Sequence, residues 1–199
     1  MNISPVITGI GSIFEAHKKE YPYFCALIYI EPDFMNLNKI SFLILIILGF
    51  SGTLLLGQNT YKATHEGWLT NLDEAYALSK KTGKPILANF TGSDWCGWCK
   101  RLSASVFLQE DFKKWAAKKV ILLELDFPRR KTLPQAIQAQ NESLQQAFQV
   151  TGFPTIWVFD LDKSNTTKQY SIKALGKTGY TPTVQEFTSG VDQMIARRT

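Results

Sequence analysis

The chain has 199 residues, 45% hydrophobic and 13% aromatic, and 22 Lys and Arg against 17 Asp and Glu give it a net charge of +5. That length carries one domain with a real core plus an appendage, and the composition excludes a disordered chain. The basic residues form short clusters, Lys113-Lys114, Lys118-Lys119 and Arg129-Arg130-Lys131, each beside acidic or apolar residues; they read as solvated faces or loops, so no nucleic-acid partner is expected.

The first feature along the chain is the uncharged run "ISFLILIILGFSGTLLL", Ile40 to Leu56, preceded by Lys39. Its length suits a secretory signal or a short membrane anchor, and nothing polar interrupts it to give a solvent-facing stripe. Met35 stands just upstream of this charged start and apolar middle. The expected organisation is therefore residues 1–34 as an artefact of start-site assignment, 35–57 as a signal peptide or N-terminal anchor, 58–67 as a linker, and 68–199 as the folded domain. The domain is expected to be periplasmic or otherwise extracytoplasmic, with the membrane touched only through an uncleaved N-terminal segment.

Within the domain, "TNLDEAYALSKKTG" (Thr70 to Gly83) places acids early, lysines late and glycine at the end, the pattern of a capped helix. "KPILANFT" (Lys84 to Thr91) has the length and apolar content of a buried strand, and "CKRLSASVF" spaces Cys99, Leu102 and Val106 at helical intervals. "VILLELDF" (Val120 to Phe127) reads as a central strand, "NESLQQAFQV" as a helix, "PTIWVFD" as a strand and "KQYSIKAL" as an edge strand, before Thr181 and Pro182 open a last helix reaching about Arg197. The segment "PRRKTLPQAIQAQ" is either an insertion shaping a client surface or a plain connection. Alternating helices and strands, closed by a hairpin and a helix, predict an α/β fold with a mixed central sheet flanked by helices.

Between the first predicted strand and its following helix lies "DWCGWCK", Asp94 to Lys100. Beyond residue 57 the only soft ligands are Cys96, Cys99 and His65. A structural zinc site needs four protein ligands and covalent haem wants a histidine where Lys100 stands, so no metal and no cofactor is expected. His65, alone before the domain, reads as a linker residue. A purely structural bridge is disfavoured, because closing so short a loop removes little unfolded-state entropy. A reactive pair fits better: Cys96 falls in the first helical turn, where free N–H groups and the helix dipole favour an anion, and cysteines so placed titrate at roughly 3.5 to 7.5. Cys96 is then the thiolate nucleophile, and Cys99, one turn on and deeper against the strand, the resolving thiol.

The residues "FTGSDWCGWCK" and "VTGFPT" (Val150 to Thr155) resemble the thioredoxin superfamily, and within it the thioredoxin-like thiol-disulfide oxidoreductases of the bacterial cell envelope. The resemblance spans about Trp68 to Arg198. It implies that Pro154 is cis and lies against the active-site disulfide. It also implies that Phe153 offers backbone hydrogen bonds to an extended substrate, and that Trp95, Gly97 and Trp98 rim a docking surface. It implies no cofactor, with disulfide-containing client proteins and a membrane or periplasmic electron donor as partners. The chain departs from the family at Asn89, where many thioredoxins carry a buried aspartate that takes the resolving cysteine's proton; an amide cannot serve. Glu124, Asp126, Asp94 or water stands as its substitute, or these carboxylates are simply surface groups.

The expected activity is reduction or exchange of disulfides in envelope proteins. The alternatives are a disulfide oxidant or isomerase, and a non-catalytic module of the same fold that binds polypeptides. The Gly-Trp dipeptide between the cysteines does not set the direction of electron flow.

Overall fold

The computed structural model describes residues 61–164, 166–167 and 169–198, so the expected signal peptide or anchor and the suspected start-site artefact lie outside the described residues. Helix α1 (Leu72–Thr82) begins where the Asn71 side chain accepts the Glu74 N–H and ends at Gly83, whose φ of 70° lets its N–H reach Ser79 O. Strand β1 (Ile86–Thr91) is buried along its whole length. Helix α2 (Gly97–Leu102) follows it and continues as a π-helical turn over Ser103–Phe107. Next come α3 (Glu110–Lys119), β2 (Ile121–Asp126), α4 (Gln135–Ala147), β3 (Thr155–Lys163), β4 (Tyr170–Thr178) and α5 (Val184–Ala196).

The sheet order is β2-β1-β3-β4, with β1 parallel to β2 and antiparallel to β3, and β3 antiparallel to β4. The mixed sheet flanked by helices is the architecture the sequence predicts. Alternation along β1 divides the core. Ile86, Ala88 and Phe90 pack with Leu72, Ala75, Leu144 and Phe148 of the α1 and α4 layer. Leu87 on the opposite face packs with Leu102, Val106, Phe112 and Phe187 of the α2, α3 and α5 layer.

Three expectations need correction. Strand β2 is an edge strand, not a central one; it reads as central because both its faces are covered, and its free edge is met by a parallel bridge from Leu69 to Leu123. The segment 128–140 is not all connection, since α4 starts at Gln135 directly after Pro134, a start signal that the following polar glutamines conceal. The described part of the segment read as a linker, Tyr61 to Gly67, packs on the sheet: Tyr61 O accepts from Thr70 Oγ1, and Thr64 and His65 reach β2.

Candidate active site

Between β1 and α2 the chain turns tightly: Trp95 N–H and Cys96 N–H both donate to Gly92 O, at 3.2 and 2.8 Å. A Cβ on Gly92 would lie 2.5 Å from the Trp95 indole, so only glycine permits this approach. Cys96 is the residue that caps α2, and its Sγ accepts the Cys99 N–H at 3.1 Å. Cys96 and Cys99 are joined by a disulfide, Sγ–Sγ 2.09 Å. On reduction, an anionic Cys96 sulfur keeps that backbone donor and the free N–H groups of the first turn, which favour its ionisation. The expectation that Cys99 lies deeper is not seen in residue exposure, 6% for each cysteine.

The surroundings are aromatic. Trp95 Nε1 donates to Phe127 O at 2.8 Å, the Arg129 guanidinium lies 3.8 Å over its ring, and Phe153 meets it edge-on at 5.9 Å. Phe153 also stacks on Phe127. The Phe153–Pro154 peptide bond is cis. Trp98 stands apart from this wall: it is 54% exposed, with Tyr180 at 5.0 Å and the Arg101 guanidinium at 4.8 Å from its ring. Gly97 is exposed beside it with open space around its Cα.

The three carboxylates named from sequence have different surroundings. Asp94 accepts the backbone N–H groups of Arg129 and Arg130. Partial desolvation opposes its ionisation, but these N–H donors outweigh it and hold the carboxyl below its usual range. Asp126 is 1% exposed and accepts from Ser93 N–H, Ser93 Oγ, Tyr61 OH and Lys131 Nζ. Burial works against the Lys131 charge, yet its bonds to Asp126 and Tyr61 win and raise its pKa. Both groups act as struts for the loops around the cysteines.

Glu124 differs. It is the register partner of Asn89 across β1 and β2, and alternation turns both toward the layer containing α2. It is 1% exposed, so it and Asp126 are not the surface carboxylates that the sequence left open. Its Oε1 accepts Thr64 N–H at 2.8 Å and Thr64 Oγ1 at 3.0 Å, and its Oε2 faces His65 Nδ1 at 3.4 Å. His65 Nε2 is hydrogen-bonded to Ser103 Oγ. A cavity of about 140 Å³ is lined by Cys99, Ser103, His65, Thr64, Lys100 and Glu124. Of the three carboxylates, Glu124 alone lines this cavity with Cys99. From sequence His65 reads only as a linker residue and Ser103 is not singled out: they lie 59 and 21 positions before Glu124, and no spacing rule joins them. Among the described residues no group of three or more His, Cys, Asp or Glu could hold a metal ion.

Comparison with known proteins agrees with this geometry. The chain is 33% identical over 109 residues to the disulfide bond reductase DsbH of Chlamydia pneumoniae, covering 55% of this chain and 60% of that one. It is 29% identical over 87 residues to the thioredoxin-related protein DsbJ of the same organism, covering 44% of this chain and 25% of that one. The chain therefore spans less than two thirds of the length of these relatives. The solved structure of a DsbH oxidoreductase superposes with a TM-score of 0.57 at 28% identity, covering 71% of this chain and 96% of that one. A thioredoxin-like domain profile matches residues 72–187, more than half of the chain. The protein therefore belongs to the thioredoxin-like domain family.

Proposed function

We propose that the protein is exported and reduces or exchanges disulfides in envelope proteins through Cys96 and Cys99. The observation that carries this reading is the helix-capping position of Cys96, whose sulfur accepts the Cys99 N–H while sharing a disulfide with Cys99. A sulfur at that position is stabilised as a thiolate and has its resolving partner one turn away. The name of the Chlamydia relative, a disulfide bond reductase, favours the reducing direction.

The Cys96 thiolate attacks a client disulfide, bonding one client sulfur and releasing the other as a thiolate. Cys99 then attacks Cys96 Sγ, the mixed disulfide breaks, and the client leaves fully reduced while the pair is left oxidised. A membrane or periplasmic electron donor returns two electrons to the pair. Trp95, Trp98, Phe153 and Pro154 form the surface on which an extended client segment lies, with Phe153 lending backbone hydrogen bonds. Residues 35–57 serve as the signal peptide or anchor that places the domain outside the cytoplasm. The test is a Cys99→Ala variant expressed in its native compartment: clients accumulate as mixed disulfides on Cys96. Accessible Cys96 without such adducts refutes the cycle.

A further inference from the structure

The exchange cycle requires Cys99 to lose a proton before it can attack, and the group aligned for that role on β1 is Asn89. Its Oδ1 is buried with no hydrogen-bond partner among the described residues, and an amide has no basic site to offer. A titratable array lining the same cavity as Cys99 comes from three other segments. Glu124 on β2 is fixed through Oε1 by the Thr64 N–H and hydroxyl, leaving Oε2 to accept from His65 Nδ1. A carboxylate at that nitrogen selects the tautomer with the proton on Nδ1, so Nε2 carries the lone pair. That lone pair meets the Ser103 hydroxyl. Ser103 lies four positions after Cys99, and its N–H donates to Cys99 O, so the two side chains share one helix face and line one cavity.

We propose that His65, oriented by Glu124, accepts and returns the Cys99 proton through the Ser103 hydroxyl, replacing the carboxylate that Asn89 lacks. This deepens the exchange cycle proposed above and rests on it. In the resolving step the Cys99 thiol proton moves to Ser103 Oγ as the Ser103 proton moves to His65 Nε2. Cys99 Sγ bonds to Cys96 Sγ, the bond from Cys96 Sγ to the client sulfur breaks, and that sulfur leaves as a thiolate with the bonding pair. Two electrons pass from the cysteine pair to the client, and the imidazolium, held by Glu124, later releases its proton to solvent or to the departing thiolate. In this scheme Glu124 is a positioning residue, and Ser103 carries the proton between Cys99 and His65.

The groups facing His65 support the assignment. From β2 it meets Glu124, and from α2 and its π-helical extension Ser103 and the Phe107 ring. Trp68 lies 6.3 Å from its ring. Lys100 lines the same cavity but directs its Nζ to Asp94 O. Asp126, further along β2, is neutralised by Lys131. Among the described residues, the charge facing the imidazole is thus the Glu124 carboxylate.

The test is stopped-flow reaction of the reduced full chain, carrying Cys25→Ser, with substoichiometric 5,5′-dithiobis(2-nitrobenzoate) between pH 5 and 9. Attack by Cys96 releases one thionitrobenzoate and resolution by Cys99 releases the second, so one trace reads both steps. The expected native second phase slows as pH falls through the imidazole titration. In His65→Gln it is slower by about tenfold or more at neutral pH and loses that inflection. Ser103→Ala, which leaves the His65–Glu124 pair intact, shows the same defect and keeps the assignment testable if His65→Gln fails to fold. A native protein with no first phase sinks the exchange cycle itself. A normal first phase with a second phase unchanged in both variants, or slowed equally at every pH, overturns the relay alone.

Discussion

Asn89 and Glu124 are partners in the parallel register of β1 and β2, side by side on the layer that α2 covers, with Asn89 4% and Glu124 1% exposed. Two carboxylates at these positions would face each other in a water-poor layer, so Asn89→Asp restores the usual residue at a cost. Its carboxyl pKa is expected to rise, through burial first and then through Glu124. A group raised in the folded state loses stability as pH climbs above its unfolded value near 4. Urea unfolding should therefore show a penalty of about 1–3 kcal/mol at pH 7 that shrinks toward pH 4. A penalty independent of pH would mean that the two side chains do not sense each other.

Gly92 and Trp95 make a second tight pair. Gly92→Ala forces the indole away from the new methyl and from Phe127 O, and it should lower stability by about 1–3 kcal/mol, as overpacking does. The change in Trp95 surroundings is expected as an altered tryptophan emission in the folded state. Unchanged stability and emission would show that the turn can relax around a side chain.

Trp98 has the opposite character, being mostly exposed and held by Tyr180 and Arg101 on the surface. Trp98→Ala is expected to change stability by no more than about 0.5 kcal/mol. Its turnover of a protein disulfide should fall several-fold while the reaction with a small aromatic disulfide is retained, because only the larger partner uses the exposed ring. An equal loss on both substrates would assign Trp98 to the geometry of the pair instead.

Far from the cysteines, Asp73 accepts from Lys163 Nζ and from Tyr170 OH, tying α1 to the β3–β4 hairpin. Desolvation acts against the Asp73 charge, but these two bonds prevail and lower its pKa, while burial and then Asp73 raise that of Tyr170. A depressed carboxyl pKa gives stability that is present above its unfolded value near 4 and is lost as pH falls through the folded value. Tyr170→Phe should cost about 1 kcal/mol at pH 7, the ordinary net worth of a hydrogen bond, and the gap to the native protein should narrow below pH 4. Chemical denaturation at pH 7 and pH 3 measures both.

How much of this was legible depended on whether a signal was local. Helix α1 carries its caps and charge gradient in adjacent residues, and β1 its apolar run, so both were readable. Helix α3 was not singled out, because Phe112 and Ala116 are its only fully buried residues and lysines and acids make up six of its ten positions. The edge position of β2 was hidden by covered faces, since its burial pattern matches that of an interior strand. The redox pair announced itself by spacing, and the cis bond at Pro154 was expected from resemblance. The ring of residues around Glu124 was not legible. Thr64 and His65 reach it across about sixty positions, and only the fold sets that distance to a few ångströms.

The Thr64 clasp on Glu124 also sets where the domain can be trimmed. A fragment starting at Trp68 would remove the N–H, the hydroxyl and the imidazole that together hold one interior anion. The stranded charge would cost about 3–5 kcal/mol, the toll of breaking a buried pair, unless it took up a proton. A trimmed domain intended for biophysics therefore has to begin before Thr64, although the first helix starts eight residues after it.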